Sequence, residues 1–279
     1  MQVESTPKNR TRRSRSIPRR LLREGAVHLL PVYYLARLSD LGREAIDHSG
    51  SCRFADHIYR GIASGRTVMG RMIDAWLLAT PAALAFRRRC EQAEDVVRRA
   101  LEAYPSGIAP LRVLAVPCGI PRDIINLSAS LRTAHPDLLA RIEYHGLDID
   151  PAVLDVAGGL TTGCGLATNY HLGNALVAGD YPRSRFHVVI STGLGEFLDD
   201  EELASFYRLV YDAMEQGGTF FTSATARDPG SDILLRMAEV VTQYRRAGEV
   251  ERVLRRLPWS RLVLNPDTTG LQTFITAVR

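Results

Sequence analysis

Lysine is nearly missing: of 35 basic residues only Lys8 is not an arginine. Cysteine is scarce. Cys52, Cys90, Cys118 and Cys164 stand far apart, and no CxxC or Cys/His cluster occurs. That excludes a zinc framework or a disulfide scaffold and fits a reducing, cytoplasmic setting; no metal is expected. No apolar run approaches the roughly 20 residues that a membrane-spanning helix needs. GxGxxG is absent, which argues against a dinucleotide dehydrogenase. No apolar segment follows Arg19-Arg20, which argues against a secretory signal. What is present is a chain of 279 residues, 46% hydrophobic and 24% charged, able to bury a sizeable core.

The basic balance is unevenly placed. Residues 1–23 carry eight basic residues and one acid, whereas the whole chain is only +4, so residues 24–279 carry −3. Residues 1–20 lack periodicity and read as a disordered basic tail. A mildly acidic body argues against a specific nucleic-acid partner, which needs a basic face within the fold.

From 21 to 106 the pattern is helical. Leu29, Leu30, Tyr33, Tyr34 and Leu38 recur at helical spacing. A second segment holds Phe54, His57, Ile58 and Ile62, and a third runs from Val68 to Leu78. Thr80-Pro81 then starts a long helix, with threonine as cap and proline in the first turn. Tyr33, Tyr34 and Trp76 read as core residues, and Arg87-Arg88-Arg89 as a solvated face.

From Leu111 short β-rich runs alternate with helical stretches, the pattern of a parallel sheet with crossover helices. The predicted strands are Arg112–Val116, Ile142–Leu147, Ala167–Leu172, His187–Ser191 and Gly218–Ser223. Helices fall at about 121–134, 151–158, 200–215 and 231–256. Asp199 and Glu202 have the spacing of a capping box. Arg261–Leu264 and Leu271–Val278 read as a closing antiparallel hairpin. Domain limits follow: tail 1–20, helical extension 21–106, and an α/β domain 107–279.

Three features fall at the carboxyl ends of successive strands, the edge where open α/β sheets bind ligands. In Val113-Leu-Ala-Val-Pro-Cys-Gly-Ile-Pro-Arg-Asp123 a strand enters a tight turn at Cys118-Gly119. In His145-Gly-Leu-Asp-Ile-Asp-Pro151 the carboxylate of Asp148 ends the second strand, where it can accept both ribose hydroxyl protons. Asp150 before Pro151 reads as a helix cap. In Phe186-His-Val-Val-Ile-Ser-Thr-Gly-Leu-Gly-Glu-Phe-Leu-Asp-Asp200 a buried strand opens into a glycine-containing loop.

These residues resemble the class I S-adenosylmethionine-dependent methyltransferases, over about 60% of the chain from Leu111 to Arg279. VLAVPCGIP stands at the family's first motif and GLDIDPAVL at its second. Leu172-Gly-Asn-Ala-Leu176 is similar to the segment after the third strand, and VVISTGLGEF to the one after the fourth. Met214-Glu-Gln-Gly-Gly-Thr-Phe-Phe221 is similar to the Gly-Gly turn before the fifth. Each motif is loose; five in register are specific. The resemblance implies a Rossmann-like seven-stranded, mostly parallel sheet with the closing hairpin, under an N-terminal helical lid. It implies S-adenosylmethionine as cofactor and S-adenosylhomocysteine as product. Cofactor contacts would fall on Pro117, Cys118, Gly119, Asp148, Ile149, Asn174, Ala175, Ser191, Thr192 and Gly193. The chain departs from the family pattern where Ala115 replaces an acid and Pro117 and Pro121 replace glycines.

Methyl transfer from a sulfonium is an in-line displacement, so the protein chiefly supplies alignment. A base is needed only if the acceptor must lose a proton. Glu196 is the first candidate; His57 and Tyr59 could reach in from the helical lid. The expected acceptor is a small or lipid-like molecule, and a homo-oligomer is open. A nucleic-acid methyltransferase with an arginine-rich arm and a catalytically silent cofactor-binding module are the alternatives.

Overall fold

The computed structural model describes residues 17–47, 51–105, 109–228, 230 and 242–279. Residues 1–16 of the expected tail and residues 231–241 of the expected last long helix lie outside that set. The chain separates into two compact units. The described residues up to Arg87 belong to the first, and Arg88–Arg227 with Thr242–Arg279 form the second. The division falls inside a helix, seven residues past its first residue Pro81.

The first unit is helical. After a helix at 17–23 come α1 (Leu30–Ala36), α2 (Asp40–Asp47), α3 (Cys52–Arg60), α4 (Val68–Leu78) and the start of α5 (Pro81–Ala103). Ser51 and Thr67 cap α3 and α4, each accepting a backbone N–H three residues on. Two small apolar clusters hold the unit. Tyr33 packs with Ile17, Leu21 and Ile46, and Leu41 packs with Ile58, Leu78 and Ala83.

A polar knot binds these helices as firmly. Asp74 on α4 is fully buried, and its carboxylate accepts from the Ser39 hydroxyl, from Leu41 N at 3.1 Å and from Ser64 N at 3.0 Å. Ser39 in turn accepts from Gly42 N at 2.8 Å. At Gly70, one turn before Asp74, a side chain would begin 2.3 Å from the Leu38 carbonyl oxygen, so only glycine lets α4 approach this closely. This seating corrects two expectations. Trp76 is not a core residue: it lies some 200° around the helix from Asp74 and is exposed. Tyr34 is exposed as well, because only its neighbour Tyr33 faces the apolar cluster.

The second unit is a seven-stranded sheet of order β3-β2-β1-β4-β5-β7-β6. Its elements are β1 (Leu111–Ala115), α6 (Arg122–Ala134), α7 (Pro136–Leu139), β2 (Ile142–Asp148), α8 (Pro151–Thr161), β3 (Ala167–Leu172), β4 (Phe186–Ile190), α9 (Asp200–Ala213), β5 (Met214–Thr225), α10 (Ala247–Leu254), β6 (Arg261–Pro266) and β7 (Gln272–Val278). The first five strands pair in parallel, and β7 runs antiparallel between β5 and β6. This is the expected Rossmann-like order. One face packs on α5, α6 and their neighbours through Val97, Leu101, Ile124 and Leu127. The other packs on α9 and α10 through Phe206, Tyr207, Val250 and Leu254. The Asp199/Glu202 capping box starts α9 as its spacing demands.

The link from β3 to β4 contains only a short 3-10 turn, Ala178–Asp180. Beside it, β2 and β3 carry a polar chain. His145 Nε2 lies 3.1 Å from Glu143 Oε1, and His145 Nδ1 lies 3.0 Å from His171 Nε2, with the two rings parallel. Burial, and then the neighbouring His145, lower the pKa of His171.

Replacing Asp74 by alanine strands three donors in a buried site. We expect Asp74→Ala to destabilise the first unit by about 2–4 kcal/mol, read as a lower urea midpoint for its helical signal.

Candidate functional site

The turn after β1 is folded by main-chain bonds to its neighbours. Val116 N donates to Ile190 O at 2.9 Å and Cys118 N to Leu147 O at 2.9 Å, so the ends of β4, β1 and β2 are laced together. The Val116–Pro117 peptide is cis, and Gly119 has φ +52°, a left-handed conformation that favours glycine. Gly119 N then donates to Asp148 Oδ2 at 2.9 Å, and Asp150 N donates to Asp148 Oδ1 at 3.1 Å. Asp148 is 8% exposed. Among the described residues no basic side chain pairs with it, and burial raises its pKa above the usual carboxylate value. Both oxygens thus accept from backbone N–H groups, and a carboxylate has about four acceptor positions in all. Asp150 caps α8 through Ala152 N, as expected.

The next strand end is tied in through the same residue: Gly173 N donates to Asp148 O at 2.9 Å. Asn174 follows. Its Oδ1 accepts from Leu176 N at 2.9 Å, and its own N donates to Asp180 Oδ2 at 2.7 Å. Ile149 and Leu172 are apolar and exposed beside the carboxylate, with Leu172 directly opposite Asp148 in the strand register. Ser191 is buried, with its N–H on Phe221 O, and Gly193 has φ +92°. Thus Pro117–Gly119, Asp148–Ile149, Asn174–Ala175 and Ser191–Gly193 occupy four adjacent strand ends. Ala115 is packed into the core at the end of β1.

Glu196, in the loop after β4, is held by two side chains. Its Oε1 accepts from Arg89 Nη1 at 3.1 Å and from Thr225 Oγ1 at 2.5 Å, and Gln272 Nε2 donates to Thr225 Oγ1 at 3.1 Å. Arg89 is 3% exposed, so the arginine triplet is not a solvated face throughout. The end of α5 belongs to the second unit, and that packing buries the third arginine beside Gly193. Arg245 ties down the same loop through Gly195 O and Leu198 O, both at 2.6 Å, while Gln243 N donates to Glu196 O at 2.7 Å. Sequence reading missed Arg89, Thr225, Gln272 and Arg245, which have no local motif and meet only in the fold.

His57 and Tyr59 lie on α3 in the first unit. Both ring nitrogens of His57 are engaged: Nδ1 by Glu44 Oε2 at 2.8 Å, and Nε2 by Ile62 O at 3.0 Å. Two such acceptors favour the doubly protonated ring, and the Glu44 hydrogen bond raises the His57 pKa.

The sequence matches a family model described as "Putative methyltransferase" over residues 32–258. The chain belongs to that family. No curated protein matches it. Among solved structures, this methyltransferase-family chain is similar to a protein from Bordetella parapertussis described as a possible exported protein. The TM-score is 0.77 at 20% identity, covering 99% of this chain and 97% of that one. It is also similar to magnesium protoporphyrin IX methyltransferase (ChlM) from Synechocystis PCC 6803 with bound SAH. There the TM-score is 0.54 at 14% identity, with 86% and 100% covered. A third is the S-adenosylmethionine-dependent methyltransferase SibL in its apo form, at 0.52 and 16%, with 91% and 76% covered. These likenesses establish the fold.

The His57 arrangement sets a pH dependence. Its folded-state pKa is above the unfolded value of 6.5, so its stabilisation is complete below that pH and is lost as pH rises through the folded value. His57→Gln should flatten the stability difference between pH 6 and pH 9 in urea titrations.

Proposed function

We propose that this chain is an S-adenosylmethionine-dependent methyltransferase acting on a small or lipid-like acceptor. The observation that carries the reading is the Asp148 carboxylate: buried, without a basic partner among the described residues, fixed by Gly119 N, and placed at the carboxyl edge of the sheet. Two neighbouring hydroxyl donors, such as those of a ribose, match that acceptor. Ile149 and Leu172 provide apolar surface for a purine. Asn174, whose Oδ1 is taken by Leu176 N, would meet the base edge with its amide nitrogen. Pro117, Cys118, Ala175, Ser191, Thr192 and Gly193 complete the proposed contacts.

When bound, the sulfonium cofactor supplies an activated methyl group. The protein's part is to hold two reactants in line and keep water out. Asp148 and the Gly119 turn would fix the nucleoside. The loop from Ser191 to Glu196, tethered by Arg89, Thr225 and Arg245, would form the reacting end. Glu196 is the candidate group for receiving an acceptor proton. Its ion pair with Arg89 also suits it to positioning the loop. Tyr59 stays a candidate from the helical unit, whereas His57 has both ring nitrogens engaged within that unit. The four cysteines are free, which suits a reducing cytoplasmic setting.

Asp148→Ala should weaken S-adenosylmethionine binding by about 1–3 kcal/mol in calorimetry, as for loss of charged hydrogen bonds. Unchanged affinity would remove the nucleoside assignment. Incubation with methyl-labelled S-adenosylmethionine and fractionated cell extract, followed by mass analysis, should yield a labelled small molecule. Label found in nucleic acid, or full cofactor binding without turnover, would favour the alternatives.

A further inference from the structure

Helix α4 is built inside out. The face turned into its unit carries Gly70, Asp74 and Leu78, and the fully buried carboxylate there is held by Ser39, Leu41 N and Ser64 N. The face turned outward carries Val68, Met69, Met72 and Trp76, exposed at 67%, 57%, 68% and 68%. These four positions fall within about 100° of helix circumference. They form one apolar stripe, and Ile62 in the preceding loop is exposed too. Scattered exposed apolar residues are ordinary, but a continuous stripe of this kind marks an interaction surface.

Along the segment from 51 to 79 the exposed charge is of one sign. Between residues 51 and 79 the acidic residues are Asp56 and Asp74, and both are buried. Arg53, Arg60, Arg66 and Arg71 are all exposed. Arg66 stands just ahead of the helix and Arg71 on the flank of the stripe. An apolar helix face bearing tryptophan and methionine, with exposed arginines beside it in the chain, has the chemistry of a helix lying in a lipid–water interface. Anionic headgroups attract such arginines within about a Debye length. Residues 1–23, which carry a net +7, add positive charge to the same chain.

We propose that the outward face of α4 docks on an anionic lipid surface, with Met69, Met72 and Trp76 entering the acyl boundary and Arg66 and Arg71 meeting the headgroups. This does not depend on the cofactor assignment. It gives the chain a membrane-surface function that requires no spanning helix.

The test uses the full chain with vesicles of phosphatidylcholine alone or with about 30% phosphatidylglycerol. The protein should sediment at least tenfold more strongly with the anionic vesicles, and raised salt should weaken that binding. Tryptophan emission should move to the blue on binding, and Trp76→Phe should abolish that shift while sedimentation persists. Met72→Asp and, independently, Met69→Asp should each cut sedimentation at least tenfold. Both side chains are exposed, and unchanged circular dichroism confirms that the variants fold. Absence of binding to anionic vesicles overturns the proposal. So does binding that neither aspartate variant alters, which assigns it to the basic tail alone. A dimer that Met72→Asp dissociates, without vesicle binding, assigns the stripe to a second copy and likewise overturns it.

Discussion

The second unit depends on one hydrogen bond, from Gly119 N to the buried carboxylate of Asp148. It joins the turn after β1 to the end of β2, and the carbonyl of the same aspartate fixes the exit of β3 through Gly173 N. A buried carboxylate without a counter-charge is costly unless hydrogen-bonded. The fold satisfies Asp148 with backbone donors and no charged partner among the described residues. Its local cost and its proposed binding capacity are thus the same property: a carboxylate without a counter-charge is one that a ligand's donors can use.

A second polar row stands at the far end of the same edge. Arg89, Glu196, Thr225 and Gln272 come from a helix, a loop and two strands, and each link is a direct hydrogen bond. Arg245 adds two bonds to the loop after β4 and a third to the Asp200 carboxylate at the start of α9, at 3.0 Å. The loop after β4 is therefore pinned on several sides, as the proposed alignment chemistry would require. The departures in the first motif read differently beside this. Ala115 removes a charge that would have been buried in the core, while the backbone of the turn is still set by Val116 and Cys118.

Much of the second unit is legible in the sequence because its signals are local. The strand at Ala167–Leu172, the Asp150 cap and the Asp199/Glu202 box each need only a few adjacent residues. The strand ends differ by one to four residues, most at β5, which begins at Met214, where the register slips between Phe186 and Val188. The helical unit is less legible. Its α3, α4 and the start of α5 are as predicted, but residues 17–20 of the expected disordered tail are helical because Ile17 and Leu21 bury against Tyr33, and which face of α4 turns inward is decided by Asp74 and its distant partners Ser39, Leu41 and Ser64. Periodicity places apolar residues inside, so it puts Trp76 in the core; a polar knot reverses that choice. Arg89 is misjudged for a related reason, since a triplet of arginines gives no sign that one of them has a carboxylate partner 107 positions away.

The polar chain on β2 and β3 has a consequence for proton placement. A carboxylate can only accept, so Glu143 fixes a hydrogen on Nε2 of His145. In the neutral ring Nδ1 must then accept, which fixes the hydrogen of His171 on its own Nε2. The tautomers of two imidazoles are thereby dictated in series from one end. The half-buried outer ring is left with a bare nitrogen lone pair at Nδ1 on the border strand of the sheet. That point on the border is thus directional, ordered by a single glutamate two residues from the ring it orients.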